Sequence, residues 1–278
     1  MSRITAVAAS NTGKIRENNE DNFYLNGLTL PSGAAGTHIA TDESDYACIY
    51  AVCDGMGGEE HGETASAIAV EALRDYSRRV KKRAGSLEAL VGSYTKEANA
   101  LICNEIMKNG GCRMGTTYTM LCMRGDLIQA FNLGDSRAYM YRNELVQLSY
   151  DHTKVRRLID LGFLTEEQAK THSDRHVITQ HLGIFPEEMI IEPFAARPVN
   201  YASGDMFLLC SDGLTDMLEE SEIENILAHR PDQRGAAETL VEAAMQNGGY
   251  DNITVIVARI GAKYKESNAF RRRIFSFK

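Results

Sequence analysis

Acidic residues recur beside glycine or asparagine where apolar runs stop: Glu20-Asp21, Asp54-Gly55, Gly134-Asp135, Asp212-Gly213 and Asp251-Asn252. The sharpest case is Asp54-Gly55-Met56-Gly57-Gly58, where the apolar run 46–53 ends on a carboxylate and glycines crowd in behind it. A carboxylate at a strand end, with backbone free to approach it closely, suits a hard cation or a phosphate. Aspartate favours turns, so some acids fall at strand ends by default. A recurring set is harder to assign to chance. Oxygen ligands suit Mg²⁺ or Mn²⁺, not zinc. One carboxylate shared between two such ions would hold them about 3.5–4 Å apart, the spacing used for phosphoryl displacement.

These positions need strands that end at one place. Residues 3–9 read as a first strand and 21–25 as a second. Residues 27–45, rich in Gly, Thr and Ser and without a period, read as a surface loop. Helical spacing covers 60–82, and a second helix runs from Ser86 to about Lys108, stopped by Gly110-Gly111. The chain between 116 and 148 reads as an antiparallel meander. Residues 150–185 break that rhythm, with a short helix near Thr153 and a capping box at Thr165–Gln168. In the same stretch His172 and His176, four apart, lack a third ligand in register and read as polar surface. Strands are expected at 189–196, 206–210 and 253–260. Late helices are expected to start at Ser221 and Pro231, the second stopped by Gly248-Gly249. The His61 imidazole is expected at a helix start.

At 278 residues the chain is long enough to bury a substantial core. A formal net charge of -8 argues against a general nucleic-acid binder. The six cysteines form no C-x-x-C pair and are expected as buried free thiols in a reducing cytosol. No run approaches the roughly 18 apolar residues of a membrane span, and the first residues carry no long apolar stretch, so a cytoplasmic protein is expected. Residues 1–262 are read as one catalytic domain and 263–278 as a basic, disordered tail.

In its motifs the chain resembles the metal-dependent type 2C protein serine/threonine phosphatases, in their bacterial form. The pieces that carry the resemblance are Arg16–Asp21, Val52–Gly58, Met114–Thr117, Asn132–Arg137, Cys210–Asp216 and Asp251–Val255, in the family's order. The resemblance implies an α+β fold: a four-layer α-β-β-α sandwich, two antiparallel sheets flanked by pairs of helices, with metals at one edge. It implies that Asp54 bridges two ions of Mn²⁺ or Mg²⁺. Asp212 and Asp251 would complete the first, and the Gly55 carbonyl with Glu20 and Asp21 would serve the second, Asp21 favoured over Glu20. Asp135 with Asp212 would hold a third, weaker ion. Arg16 would grip the substrate phosphate, and a planar fork suits that task. Segment 150–185 would be a flap over the cleft, with His152, Thr153 and Arg175 touching substrate.

The implied reaction is hydrolysis of phosphoserine and phosphothreonine in proteins. A hydroxide shared by the metals would attack phosphorus without a phospho-enzyme, and Arg16, Asp54 and Asp212 would be the catalytic residues. The expected partners are phosphoproteins and a cognate serine/threonine kinase, and a monomer is expected. The alternative is a catalytically silent, phosphoprotein-binding relative, against which the complete carboxylate set weighs. One position departs from animal-type members: where they carry a histidine proposed as the proton donor, this chain has Met56, which cannot donate.

Overall fold

The computed structural model describes residues 3–34, 36–45, 47–57, 61–82, 85–230 and 232–262. The chain begins with β1 (Ile4–Asn11), β2 (Asn22–Leu25), β3 (Leu28–Thr29), β4 (Thr37–Ser44), β5 (Ala47–Cys53) and β6 (Gly55–Met56). Two long helices follow, α1 (His61–Lys81) and α2 (Leu87–Lys108). Then come β7 (Gly115–Thr116), β8 (Tyr118–Arg124), β9 (Leu127–Leu133), β10 (Arg137–Tyr141) and β11 (Leu145–Gln147). Residues 150–185 carry α3 (Lys154–Asp160) and α4 (Glu166–Lys170). The chain closes with β12 (Phe194–Ala195), β13 (Met206–Cys210), α5 (Asp212–Thr215), α6 (Glu220–His229), α7 (Gln233–Gln246) and β14 (Ile253–Ile260).

Two antiparallel six-stranded sheets result, in the orders β11-β10-β13-β14-β1-β4 and β12-β9-β8-β5-β2-β3. Their facing sides share an apolar core that includes Phe23, Tyr50, Leu121, Phe207 and Ile256. Strands in this position are buried on both faces, which is why β5 and β13 read as unbroken apolar runs with no alternation. The outer face of the β5 sheet packs on α1 and α2 through Ala65, Leu73, Tyr94 and Ile102. The outer face of the β14 sheet packs on α6 and α7 through Ile223, Leu227, Leu240 and Val241. The order of layers is therefore α-β-β-α, as the resemblance implies.

Local chemistry sets the element ends. The Ser86 hydroxyl caps α2 by accepting from the Ala89 N–H, and Thr165 with Gln168 forms a complete capping box at α4. The structure corrects several boundaries. Residues 37–44 are not loop: they are β4, an edge strand paired to β1 along its full length. Only Phe194–Ala195 of the expected strand at 189–196 is paired, to β9. The α6 cap is Glu219, whose box partner is Glu222, and Ser221 lies inside the first turn. Asp232 caps α7, its carboxylate accepting from the Gly235 N–H; Pro231 and the tail 263–278 lie outside the described residues. All six cysteines are free, five buried and Cys112 exposed. No helix among the described residues is long and apolar enough to cross a membrane.

Candidate metal centre

The strand ends converge on a cleft of about 580 Å³ at one edge of the sandwich. Among the described residues its walls carry Glu17, Glu20, Asp54, Asp212, Asp216 and Asp251 against the guanidinium of Arg16. The backbone after β5 brings the first of these into place. The Asp54 carbonyl accepts from the Thr117 N–H at 2.9 Å and from the Thr116 hydroxyl at 2.9 Å, and the Thr117 hydroxyl accepts from the Asp54 N–H at 3.2 Å. The Met114–Thr117 motif is thus a clamp on the backbone of Asp54, and Thr117 is the point where β7 and β8 part.

Glycine follows Asp54 for a steric reason. A Cβ on Gly55 would stand 2.2 Å from the Gly62 carbonyl oxygen and 2.5 Å from that of Glu20. Without it, the Gly55 N–H donates to the Glu20 carbonyl at 3.2 Å. Gly213 answers the same need at the other aspartate-glycine pair: a Cβ there would lie 2.0 Å from the Asn252 carbonyl oxygen. That close approach seats Asp212, at the first residue of α5, beside the start of β14. The glycines at these sites let three chain segments meet around the carboxylates.

Asn252 ties in the loop that carries Arg16 and Glu20. Its Oδ1 accepts from the Glu20 N–H at 2.8 Å, and its Nδ2 donates to the carbonyls of Thr12 at 2.8 Å and Asn18 at 2.9 Å. Its neighbour Asp251 accepts from Arg16 at 2.7 Å. The Glu20 carboxylate accepts from the Gly62 N–H at the start of α1, though burial still raises its pKa above the ordinary value.

Asp21 points elsewhere. It is 2 % exposed and does not line the cleft. Its carboxylate accepts from the Ser211 hydroxyl at 2.7 Å, and the Ser211 hydroxyl in turn accepts from the Thr254 N–H at 3.0 Å. The structure therefore places Glu20 on the cleft wall and Asp21 beneath the floor as a brace between β13 and β14. Both residues precede β2, which begins at Asn22, and of the two only Glu20 lines the cleft.

The electrostatics of the set are strained by burial. Asp54 is pushed well above the ordinary carboxylate range by desolvation, then by the charges of Asp212 and Asp21. Asp135 is raised in the same direction, again by burial first and Asp212 second. Asp212 is pushed up to about 6 and Asp21 to about 7, both chiefly by burial. Asp135 Oδ1 is buried with no hydrogen-bond partner among the described residues. Buried like charges and an orphaned carboxylate oxygen are costly alone and are relieved by a cation. The donor set, carboxylates with a backbone carbonyl, fits hard divalent ions.

Three expected substrate contacts fall outside the cleft. His152 is buried, its Nδ1 set against the backbone of Gly134, whose N–H donates to it at 3.2 Å. Thr153 is buried and caps α3 by accepting from the Arg156 N–H. Arg175 is exposed and does not line the cleft; its charge acts on Asp216. His176, read from sequence as polar surface, does line the cleft, with Nδ1 3.6 Å from Asp216 Oδ2. Asp216 lies one turn beyond Asp212, in the motif Ser211-Asp212-Gly213-Leu214-Thr215-Asp216, which was the available signal for it.

The sandwich and its acidic edge define the class as that of the metal-dependent protein phosphatases. The chain belongs to the protein phosphatase 2C family, whose profile matches residues 36–248. It is 34% identical over 266 residues to the serine/threonine protein phosphatase PstP of Mycobacterium tuberculosis, covering 94% of this chain and 46% of that protein. The chain thus spans about half the length of that relative. It is 31% identical to the serine/threonine phosphatase stp of Listeria innocua, covering 92% of this chain and 96% of that one. Among solved structures, that of the M. tuberculosis phosphatase PstP/Ppp superposes with a TM-score of 0.78 at 32% identity, over 93% of this chain and 100% of that one. The PstP catalytic domain in complex with two manganese ions superposes with a TM-score of 0.75 at 31% identity, over 94% of this chain and 100% of that one.

Proposed function

We propose that this chain is a protein serine/threonine phosphatase that hydrolyses phosphoserine and phosphothreonine with Mn²⁺ or Mg²⁺. The observation that carries the reading is the convergence of half-buried, mutually repelling carboxylates on one cleft beside the guanidinium of Arg16. Asp54 would be shared between two ions, with Asp212 and Asp251 on one side and the Gly55 carbonyl and Glu20 on the other. Asp135, with its orphaned oxygen, would join Asp212 around a third. A bound divalent pair supplies activated water at neutral pH and neutralises phosphoryl charge.

The chain's own residues do the rest. Arg16 reaches over the cleft from an exposed loop and now pairs with Asp251. A phosphate would compete for its fork, so Arg16 both recruits the phosphate and holds its equatorial oxygens. Asn252 and Asp21 fix the segments that carry these groups. No cysteine is followed six residues later by arginine, so the cysteine-nucleophile route has no residues to run on. Six unpaired thiols suit a reducing compartment. We infer a cytoplasmic monomer that opposes a serine/threonine kinase.

The test is hydrolysis of phosphoserine and phosphothreonine peptides by purified protein with Mn²⁺, against the same protein with chelator. Activity should need the ion, and Asp212→Asn and Asp251→Asn should each lower kcat by orders of magnitude. Full activity in both variants, or in chelator, would refute the assignment.

A further inference from the structure

Departure of a serine oxygen from phosphorus calls for a proton, and Met56 supplies none. His61 does not line the cleft, and His152 is buried against Gly134. Among the described lining residues only His176 carries an imidazole, the side chain that ordinarily holds and gives a proton near neutral pH. Arg16 stays protonated at any working pH, and carboxylates that ligate metals must be ionised to do so.

The backbone around His176 is also held, while its side chain is about half exposed at the cleft. Just after it, the Lys154 N–H donates to the Val177 carbonyl at 2.9 Å and the Thr179 N–H to the His152 carbonyl at 2.7 Å, around a bridge between Thr153 and Ile178. Just before it, the Arg175 N–H donates to the His172 carbonyl at 3.2 Å. The backbone on both sides is thus fixed, and Lys154 Nζ binds Asp174 across the same segment at 2.5 Å. Buried His152 and the cap Thr153, expected on substrate, serve as anchors of this strip. On the ring, Nδ1 faces Asp216 at 3.6 Å. One ring nitrogen and carboxylate oxygens of Asp212 and Asp216 lie within 4.8 Å of one another. At 3.6 Å the carboxylate is an ion-pair neighbour of a protonated ring rather than a hydrogen-bond partner, and the second ring nitrogen is the one available to a ligand.

Resting on the phosphatase reading above, we propose that His176 is the general acid of this enzyme, delivering a proton to the departing serine or threonine oxygen, and that Asp216 is its positioning residue. A water-derived oxygen forms the new bond to phosphorus. The bond from phosphorus to the seryl oxygen breaks, and its electron pair stays on that oxygen. The proton on His176 Nε2 passes to it, giving the alcohol, and the neutral imidazole is reprotonated from solvent.

The experiment compares two substrates that differ in their need for that proton. A phosphoserine peptide has an alkyl leaving oxygen, whereas 4-nitrophenyl phosphate releases a stabilised phenolate. With saturating Mn²⁺, His176→Gln should lower kcat on the peptide about 10²-fold or more while changing it on the aryl ester by less than about threefold. Asp216→Asn should show the same selectivity at smaller size. Calorimetric Mn²⁺ binding should be unchanged in His176→Gln. Equal losses on both substrates, no loss on either, or weakened Mn²⁺ binding would overturn the assignment, the last by making His176 a metal ligand with Asp212 and Asp216. A wild-type protein inert toward both substrates would instead overturn the phosphatase reading beneath it.

Discussion

Asn252 offers the most direct test of how the cleft is assembled. Asn252 is 5 % exposed, and its carboxamide makes three hydrogen bonds of 2.8 to 2.9 Å to the loop bearing Arg16 and Glu20. Asn252→Ala removes all three and leaves the Glu20 N–H and two carbonyls unpartnered. At a net contribution of about 1 kcal/mol per bond, the loss is about 3 kcal/mol. In a chain of this size that corresponds to a fall in Tm of roughly 6–12 °C. The substitution Asn252→Asp sharpens the test. It keeps the acceptor for the Glu20 N–H but points an anionic oxygen at the carbonyls of Thr12 and Asn18, beside Asp251. The Asp variant should therefore be less stable than the Ala variant, although it is closer in shape. Urea unfolding with chelator present reads both, since an unchanged slope shows that only stability moved. Peptide kcat/KM at saturating Mn²⁺ should fall in both, because Arg16 is no longer held. A loss under about 0.5 kcal/mol for Ala, or an Asp variant more stable than Ala, would refute the clip.

Arg16→Ala should raise KM for phosphopeptide more than it lowers kcat, and Arg16→Lys should not restore wild-type KM, because a point charge lacks the fork; steady-state kinetics separate the two effects. Gly55→Ala should destabilise the protein by about 1–3 kcal/mol and weaken Mn²⁺ binding, since the new methyl meets backbone at 2.2 Å that cannot swing away; calorimetry of the folded variant checks both. In chelator, Tm should rise as pH falls from about 7.5 to about 5. Asp21 and Asp212 titrate at about 7 and about 6 in the fold against an ordinary 3.8, so the folded state binds more protons in that window, and lowering pH favours it. Loading with Mn²⁺ should flatten that dependence, and a Tm that falls with pH in chelator would contradict it.

The residues that build the cleft were legible in the sequence to different degrees, and the differences have physical causes. Asp54-Gly55 and Asp212-Gly213 announced themselves because both requirements, a charge and a backbone free of Cβ, are written in adjacent letters. The buried strands β5 and β13 were legible because burial on both faces demands an unbroken apolar run. Edge strand β4 was not, because Thr37-His38-Ile39-Ala40-Thr41-Asp42-Glu43-Ser44 is half open to solvent, with neither an apolar run nor a clean alternation. The choice between Glu20 and Asp21 turns on which way a side chain leaves a loop entering β2, and two adjacent acids are equal in sequence. His176 is the strongest case. Its neighbours in sequence, His172 and Arg175, gave it no companion in a repeat of any kind, since its partner Asp216 stands forty residues on and meets it only in the fold. Sequence could show that Met56 left a proton donor missing, whereas only the folded chain shows that His176 is the imidazole lining the cleft among the described residues.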